Sequence, residues 1–69
     1  MIYAKLKSSM LHHAEYDEEA RLLLVYFRVG RIRVFSGVPR EIFEKLTRTW
    51  SPGRFYLKKI RTKFPRDDS

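Results

Sequence analysis

The stretch Leu22-Leu23-Leu24-Val25-Tyr26-Phe27-Arg28-Val29-Gly30-Arg31-Ile32-Arg33-Val34-Phe35 decides the fold of this chain. Side chains alternate across a strand, so Leu23, Val25 and Phe27 share one face while Leu22, Leu24 and Tyr26 share the other. Gly30 supplies a turn position that tolerates positive φ. Arg31-Ile32-Arg33-Val34-Phe35 then alternates again with β-branched and aromatic residues, which predicts a hairpin across Val29-Gly30-Arg31. Upstream, the polar run Asp17-Glu18-Glu19-Ala20-Arg21 fits a second hairpin connection to a strand over Ser8–Tyr16. Leu11 and Tyr16 are both apolar enough for the core but lie an odd number of residues apart. A bulge near Ala14 would reconcile them. Residues 1–7 show no clear period and read as a loose lead-in or a short edge strand.

Downstream, Ser36-Gly37-Val38-Pro39 breaks the sheet, and Pro39 suits the first turn of a helix, where a missing N–H costs nothing. Ile42, Phe43 and Leu46 follow one helical face, with Arg40, Glu41, Glu44 and Lys45 outside it. Trp50 continues that stripe four residues after Leu46. Ser51 then fits an N-cap and Pro52 the N1 position of a second helix. Tyr56, Ile60 and Phe64 recur every four residues, flanked by Phe55 and Leu57, which predicts an amphipathic helix over roughly 52–63. The expected fold is α+β: a three-stranded antiparallel meander followed by two short helices packed on one face. The 69 residues make one domain, 1–69, with its core at about 8–65.

Composition agrees with a folded chain. Hydrophobic residues make up 43% of it, too many for a disordered tail. A domain this small buries only about 60% of the surface its unfolded chain exposes, so regularly spaced apolar residues are needed in the core. Cysteine is absent, which excludes disulfides and thiolate metal sites and points away from an oxidising compartment. No stretch has the length of a membrane span and the N-terminus lacks the order of a signal peptide, so a cytoplasmic protein is expected.

The net charge of +7 is unevenly spread. In residues 1–30, Lys5, Lys7, Arg21 and Arg28 balance Glu15, Asp17, Glu18 and Glu19. In residues 31–69, eleven Lys and Arg face only Glu41, Glu44, Asp67 and Asp68, and between Arg48 and Arg66 there is no acid at all. Such a block exceeds what solubility requires. It predicts a phosphate-tracking face of Arg48, Arg54, Lys58, Lys59, Arg61 and Lys63, joined by Arg31 and Arg33 from the sheet. The helix start at Ser51 and Gly53 adds backbone N–H groups suited to an anion. Trp50, Phe55 and Tyr56 offer stacking surface, although a thin core claims at least two of the three.

No catalytic constellation is present, and the chain reads as a binding module, not an enzyme. His12 and His13 are adjacent strand residues and point to opposite faces, so one serine or one metal cannot use both without a distortion. Neither a metal site nor a cofactor is expected. The ligand class that remains is nucleic acid, RNA or DNA. The alternative is a protein-interaction or dimerisation module using the sheet face of Leu22, Leu24 and Tyr26, three large apolar residues that two helices need not cover.

The order Ser8-Ser9, Tyr16-Asp17, Leu23-x-Val25-x-Phe27, Gly30, Val38-Pro39, Ser51-Pro52-Gly53 and Ile60-Arg61 resembles the KTSC domain. That small domain is found at the C-terminus of some lysyl-tRNA synthetases and as a stand-alone protein. The resemblance covers about residues 8–65 and implies a nucleic-acid-binding role. Ser8, Ser9, Tyr16, Asp17, Ser51, Gly53 and Arg61 match the family pattern. Leu11 stands for its Ile, Glu15 for its Gly, Arg33 for the first aromatic of Tyr-x-Tyr and Leu57 for its Asn, and Phe55-Tyr56 invert its aromatic order.

Overall fold

Alternation in the Leu22–Phe35 stretch produces the expected hairpin, and two further strands extend it on one side. The computed structural model describes residues 1–67, so Asp68 and Ser69, the end of the expected 1–69 domain, lie outside the described residues. The strands are β1 (Ile2–Lys5), β2 (Leu11–Asp17), β3 (Leu22–Phe27) and β4 (Ile32–Phe35). They form one antiparallel meander in the order β1-β2-β3-β4. Two helices follow: α1 (Arg40–Arg48) and α2 (Pro52–Phe55), the latter running on as a π-helical turn over Tyr56–Ile60. The α+β class and the meander are as expected, but the sheet has four strands instead of three. Ile2-Tyr3-Ala4-Lys5 alternates half-buried with exposed. Four residues are too few for a pattern to declare itself, and it is pairing with β2, Ile2 opposite Tyr16 through Lys5 opposite His13, that makes the strand.

The strand expected from Ser8 begins at Leu11. The Ser8 hydroxyl oxygen accepts the backbone N–H groups of Met10 (3.0 Å) and Leu11 (3.1 Å), a side-chain substitute for ladder bonds that holds Ser8-Ser9 in a turn. A bulge does reconcile Leu11 with Tyr16, at the register shift between Leu11 and His13 instead of near Ala14. Leu11, Ala14 and Tyr16 are therefore all buried. Gly30 and Gly37 adopt φ of 97° and 69°, which a side chain would strain.

The core lies between the sheet and the helices. Leu11, Ala14, Tyr16, Leu23, Val25 and Phe35 come from the strands, and Phe43, Leu46, Tyr56 and Ile60 from the helices. Tyr16 stacks on Phe43 at 5.3 Å and donates its hydroxyl to the buried Val38 carbonyl at 2.6 Å. Phe27 and Phe35 meet Tyr56 edge-on at 5.3 and 5.9 Å. Residues 65–67 return beside β4: Ser36 N–H donates to the Pro65 carbonyl (3.0 Å) and Asp67 N–H to the Val34 carbonyl (2.8 Å).

Three helical expectations change. Trp50 does not continue the α1 stripe, because α1 ends at Arg48 and Trp50 stands 93% exposed in the connection. Ser51 occupies the N-cap position of α2 without a side-chain capping bond. The second helix, expected over roughly 52–63, leaves α geometry after Phe55, where Arg61 N–H reaches back five residues to the Tyr56 carbonyl (2.9 Å). Among the described residues no helix is long and apolar enough to cross a membrane.

Candidate nucleic-acid interface

The expected cations divide into two groups. Arg48 ends α1, Arg54 lies on α2, and Lys58 and Lys59 sit on the π-helical turn; all four are exposed. They gather around Trp50, which is the shared wall of three grooves. The first is lined by Lys5, Lys7, Thr47, Arg48, Thr49 and Pro52. The second runs between the Lys7–Met10 turn and the start of α2, where Arg54 closes it. The third holds Thr49, Ser51, Arg54, Phe55, Lys58 and Lys59. No acidic residue lines any of them. Arg31, Arg33, Arg61 and Lys63 are not brought into these grooves. Arg31 lies in the β3–β4 turn, Arg33 is half-buried opposite Val25, and Arg61 and Lys63 are exposed beyond the π-helical turn.

Lys5 and Lys7 were missed by the sequence reading. The N-terminal segment balances its own charge, so a tally by halves hides two lysines that the fold carries to the opposite end of the basic block. No periodicity in residues 1–7 marks them; pairing of β1 with β2, Lys5 opposite His13, is what places Lys5 on an exposed strand position. Both ion pairs among the described residues belong to Arg40, with Glu18 (2.9 Å) and Glu44 (3.0 Å), and these carboxylates raise its pKa, Glu18 most. They lie on α1 and the β2–β3 turn, so the cations around Trp50 are not spent on them.

Of the three aromatics considered for stacking, Tyr56 is buried and Phe55 is packed against the core, which leaves Trp50. The segment around it is pinned: Thr49 N–H donates to the Lys45 carbonyl (2.9 Å), Ser51 N–H to the Thr49 hydroxyl (3.2 Å) and Phe55 N–H to the Ser51 carbonyl (3.0 Å). At the expected anion position, a Cβ added to Gly53 would lie 3.4 Å from both Met10 Cε and Ser8 Oγ. A side chain at Gly53 would thus only touch the Lys7–Met10 turn, and Ser51 lines the same groove beside it.

On the other side of the sheet, register places Leu22, Leu24 and Tyr26 with Tyr3, His13, Ile32 and Val34, facing away from the helices. His13 is stacked between Tyr3 (4.8 Å) and Tyr26 (4.1 Å). Tyr26 donates its hydroxyl to Glu15 at 2.9 Å, and that bond is the main reason its pKa is raised. The bulge is the distortion that alternation alone excludes: it brings the Nδ1 atoms of His12 and His13 to 2.8 Å of each other. Among the described residues no group of three or more His, Cys, Asp or Glu forms a metal-binding cluster.

The sequence profile of the KTSC domain matches residues 7–64 of this chain. The crystal structure of the KTSC domain protein YPO2434 from Yersinia pestis is similar, with a TM-score of 0.87 and 27% sequence identity. The alignment covers 96% of this chain and 93% of that one. No curated protein sequence matches.

Proposed function

This chain belongs to the KTSC domain family, and from that premise we propose that it is a nucleic-acid-binding module. The observation that carries the reading is the cationic surface around Trp50, where Lys5, Lys7, Arg48, Arg54, Lys58 and Lys59 converge with no carboxylate among them. Six such groups spread over three adjoining grooves suit the successive phosphates of a backbone better than one small anion. Binding draws its affinity from counterion release and reads little sequence. In this reading the domain binds and does not catalyse. Contact with five or six phosphates gives log K against log salt a slope of about −4 to −5. Fluorescence anisotropy of labelled RNA and DNA at several salt concentrations measures it. Absence of binding to single-stranded RNA, DNA and tRNA at low salt would sink the reading.

A second reading rests on the open sheet face, where Tyr3 is 55% and Ile32 44% exposed beside Leu22, Leu24, Tyr26 and Val34. Such a face suits a protein partner or a second copy. Four strands of about five residues span on the order of 300 Å² in plan. Stable interfaces bury about 800 Å² per partner, so self-association through this face is weak and the nucleic-acid reading ranks first. Light scattering at high protein concentration tests it, and a strict monomer counts against the homodimer.

A further inference from the structure

The position of Trp50 narrows the nucleic-acid reading, on which this inference rests, to a class of ligand. We propose that Trp50 is a base-stacking platform that makes this domain a binder of single-stranded nucleic acid. A thin core uses most of the chain's large aromatics: Tyr16, Phe35, Phe43 and Tyr56 are buried and Phe27, Phe55 and Phe64 pack against them. The largest side chain in the protein is left out of it, 93% exposed, on a segment whose backbone is held by three hydrogen bonds. An indole on a fixed backbone, with open grooves on its flanks, presents a π-face to an incoming ring.

The surrounding charge sets the path of the ligand. Lys5, Lys7 and Arg48 lie on one side of the indole and Lys58 and Lys59 on another, with Arg54 shared by the two grooves that flank α2. A strand crossing Trp50 therefore has cations for the phosphates on both sides of the stacked base. Single-strand binders combine these same two components, a cationic groove and an aromatic face. A duplex satisfies only the first, because each internal base already has both faces covered by its neighbours. Besides cations, the polar side chains lining the three grooves are the hydroxyls of Ser8, Ser9, Thr47, Thr49 and Ser51, with no amide or carboxylate to read a base edge, so base preference is weak and follows stacking strength. The molecule is 22–27 Å across, which limits the footprint to about 4–7 nucleotides.

Trp50 is the only tryptophan in the chain, so its emission reports the contact directly. The intact protein is titrated with an oligothymidylate, a duplex of equal length and an abasic phosphodiester strand, with binding followed independently by anisotropy of the labelled ligand. At matched saturation the single strand quenches Trp50 and the duplex and abasic strand do not. Trp50→Ala weakens single-strand binding about 5- to 150-fold, the effect of losing one stacked base. It leaves duplex binding within about twofold and the melting curve unchanged, as substitution at so exposed a position implies. Single-strand binding without quenching, or an equal loss on all three ligands in Trp50→Ala, overturns the stacking role. Quenching by the duplex shows insertion between base pairs and overturns the single-strand selectivity. If none of the three ligands binds at low salt, the nucleic-acid reading itself falls and the platform with it.

Discussion

Replacing Tyr16 with phenylalanine removes one oxygen atom and leaves the ring in place against Phe43. The lost hydroxyl is the donor to the Val38 carbonyl at 2.6 Å, a bond between two residues that are 1% and 0% exposed. Water cannot reach the orphaned carbonyl, so the cost is that of an unsatisfied buried acceptor, about 1–3 kcal/mol. A 69-residue domain has a total stability of roughly 3–10 kcal/mol at typical values per residue, so this one bond is a large share of it. The expected fall in Tm is about 4–8 °C for each kcal/mol lost. Urea unfolding should shift to a lower midpoint with an unchanged slope, since the substitution alters stability and not the surface exposed on unfolding. Far-UV circular dichroism is the right readout, because Trp50 is as exposed folded as unfolded and its emission senses little of the transition. Tyr3→Phe serves as the control: Tyr3 is 55% exposed, and its change should stay within about 0.5 kcal/mol. A Tyr16→Phe midpoint indistinguishable from wild type would refute the reasoning, showing that Val38 finds another donor or that the site is wet.

Leu23→Ala, at a fully buried position in the central hairpin, should cost about 2–5 kcal/mol by the same urea assay, enough to leave much of the population unfolded at 37 °C. Gly37→Ala, at φ 69°, should cost about 1–2 kcal/mol. Gly53→Ala should change stability by less than about 1 kcal/mol, because its Cβ meets only side-chain atoms at 3.4 Å and the helix gains propensity. Tyr26 has a folded-state pKa raised above 10.0 by its bond to Glu15, so its contribution to stability is intact below pH about 10 and is lost as pH climbs through the raised value. Phenolate absorbance during alkaline titration checks this, and Glu15→Gln should bring the Tyr26 transition back down.

Much of the fold was legible because strong alternation leaves little freedom. Leu23-x-Val25 and Arg31–Phe35 could satisfy their apolar faces only as a hairpin, and Leu11 with Tyr16 announced a bulge. Its position was not legible, since either side of Ala14 restores the same two side chains to the core. Residues 1–7 read as a loose lead-in or a short edge strand, and β1 is that edge strand; its four residues acquire their conformation from the ladder with β2 and have too little pattern of their own to decide between the two. Trp50 was misplaced for a related reason: spacing by four from Leu46 assumes that the helix continues, and α1 stops two residues earlier at Arg48. The candidate site was half legible. The basic block from Arg48 to Lys59 is contiguous in sequence, whereas Lys5 and Lys7 join it only through sheet topology. Arg31, Arg33, Arg61 and Lys63 carry the same charge but lie away from the grooves, which no count of charge could foresee.

The return of residues 65–67 beside β4 also bears on how copies of this domain meet. A sheet edge is a template for another strand. The tail already occupies the β4 edge at Val34 and Ser36, leaving only Ile32 and Arg33, too short a run to recruit a strand. The opposite edge, β1, is the one long enough to pair with a foreign chain. An assembly that grows by adding strands needs two competent edges on every member, and this domain has one. Two copies joined β1 to β1 present no further edge to a third. Any strand-to-strand association would therefore stop at a pair, because residues 65–67 block the second edge, and loosening them would turn a closed contact into an open-ended one.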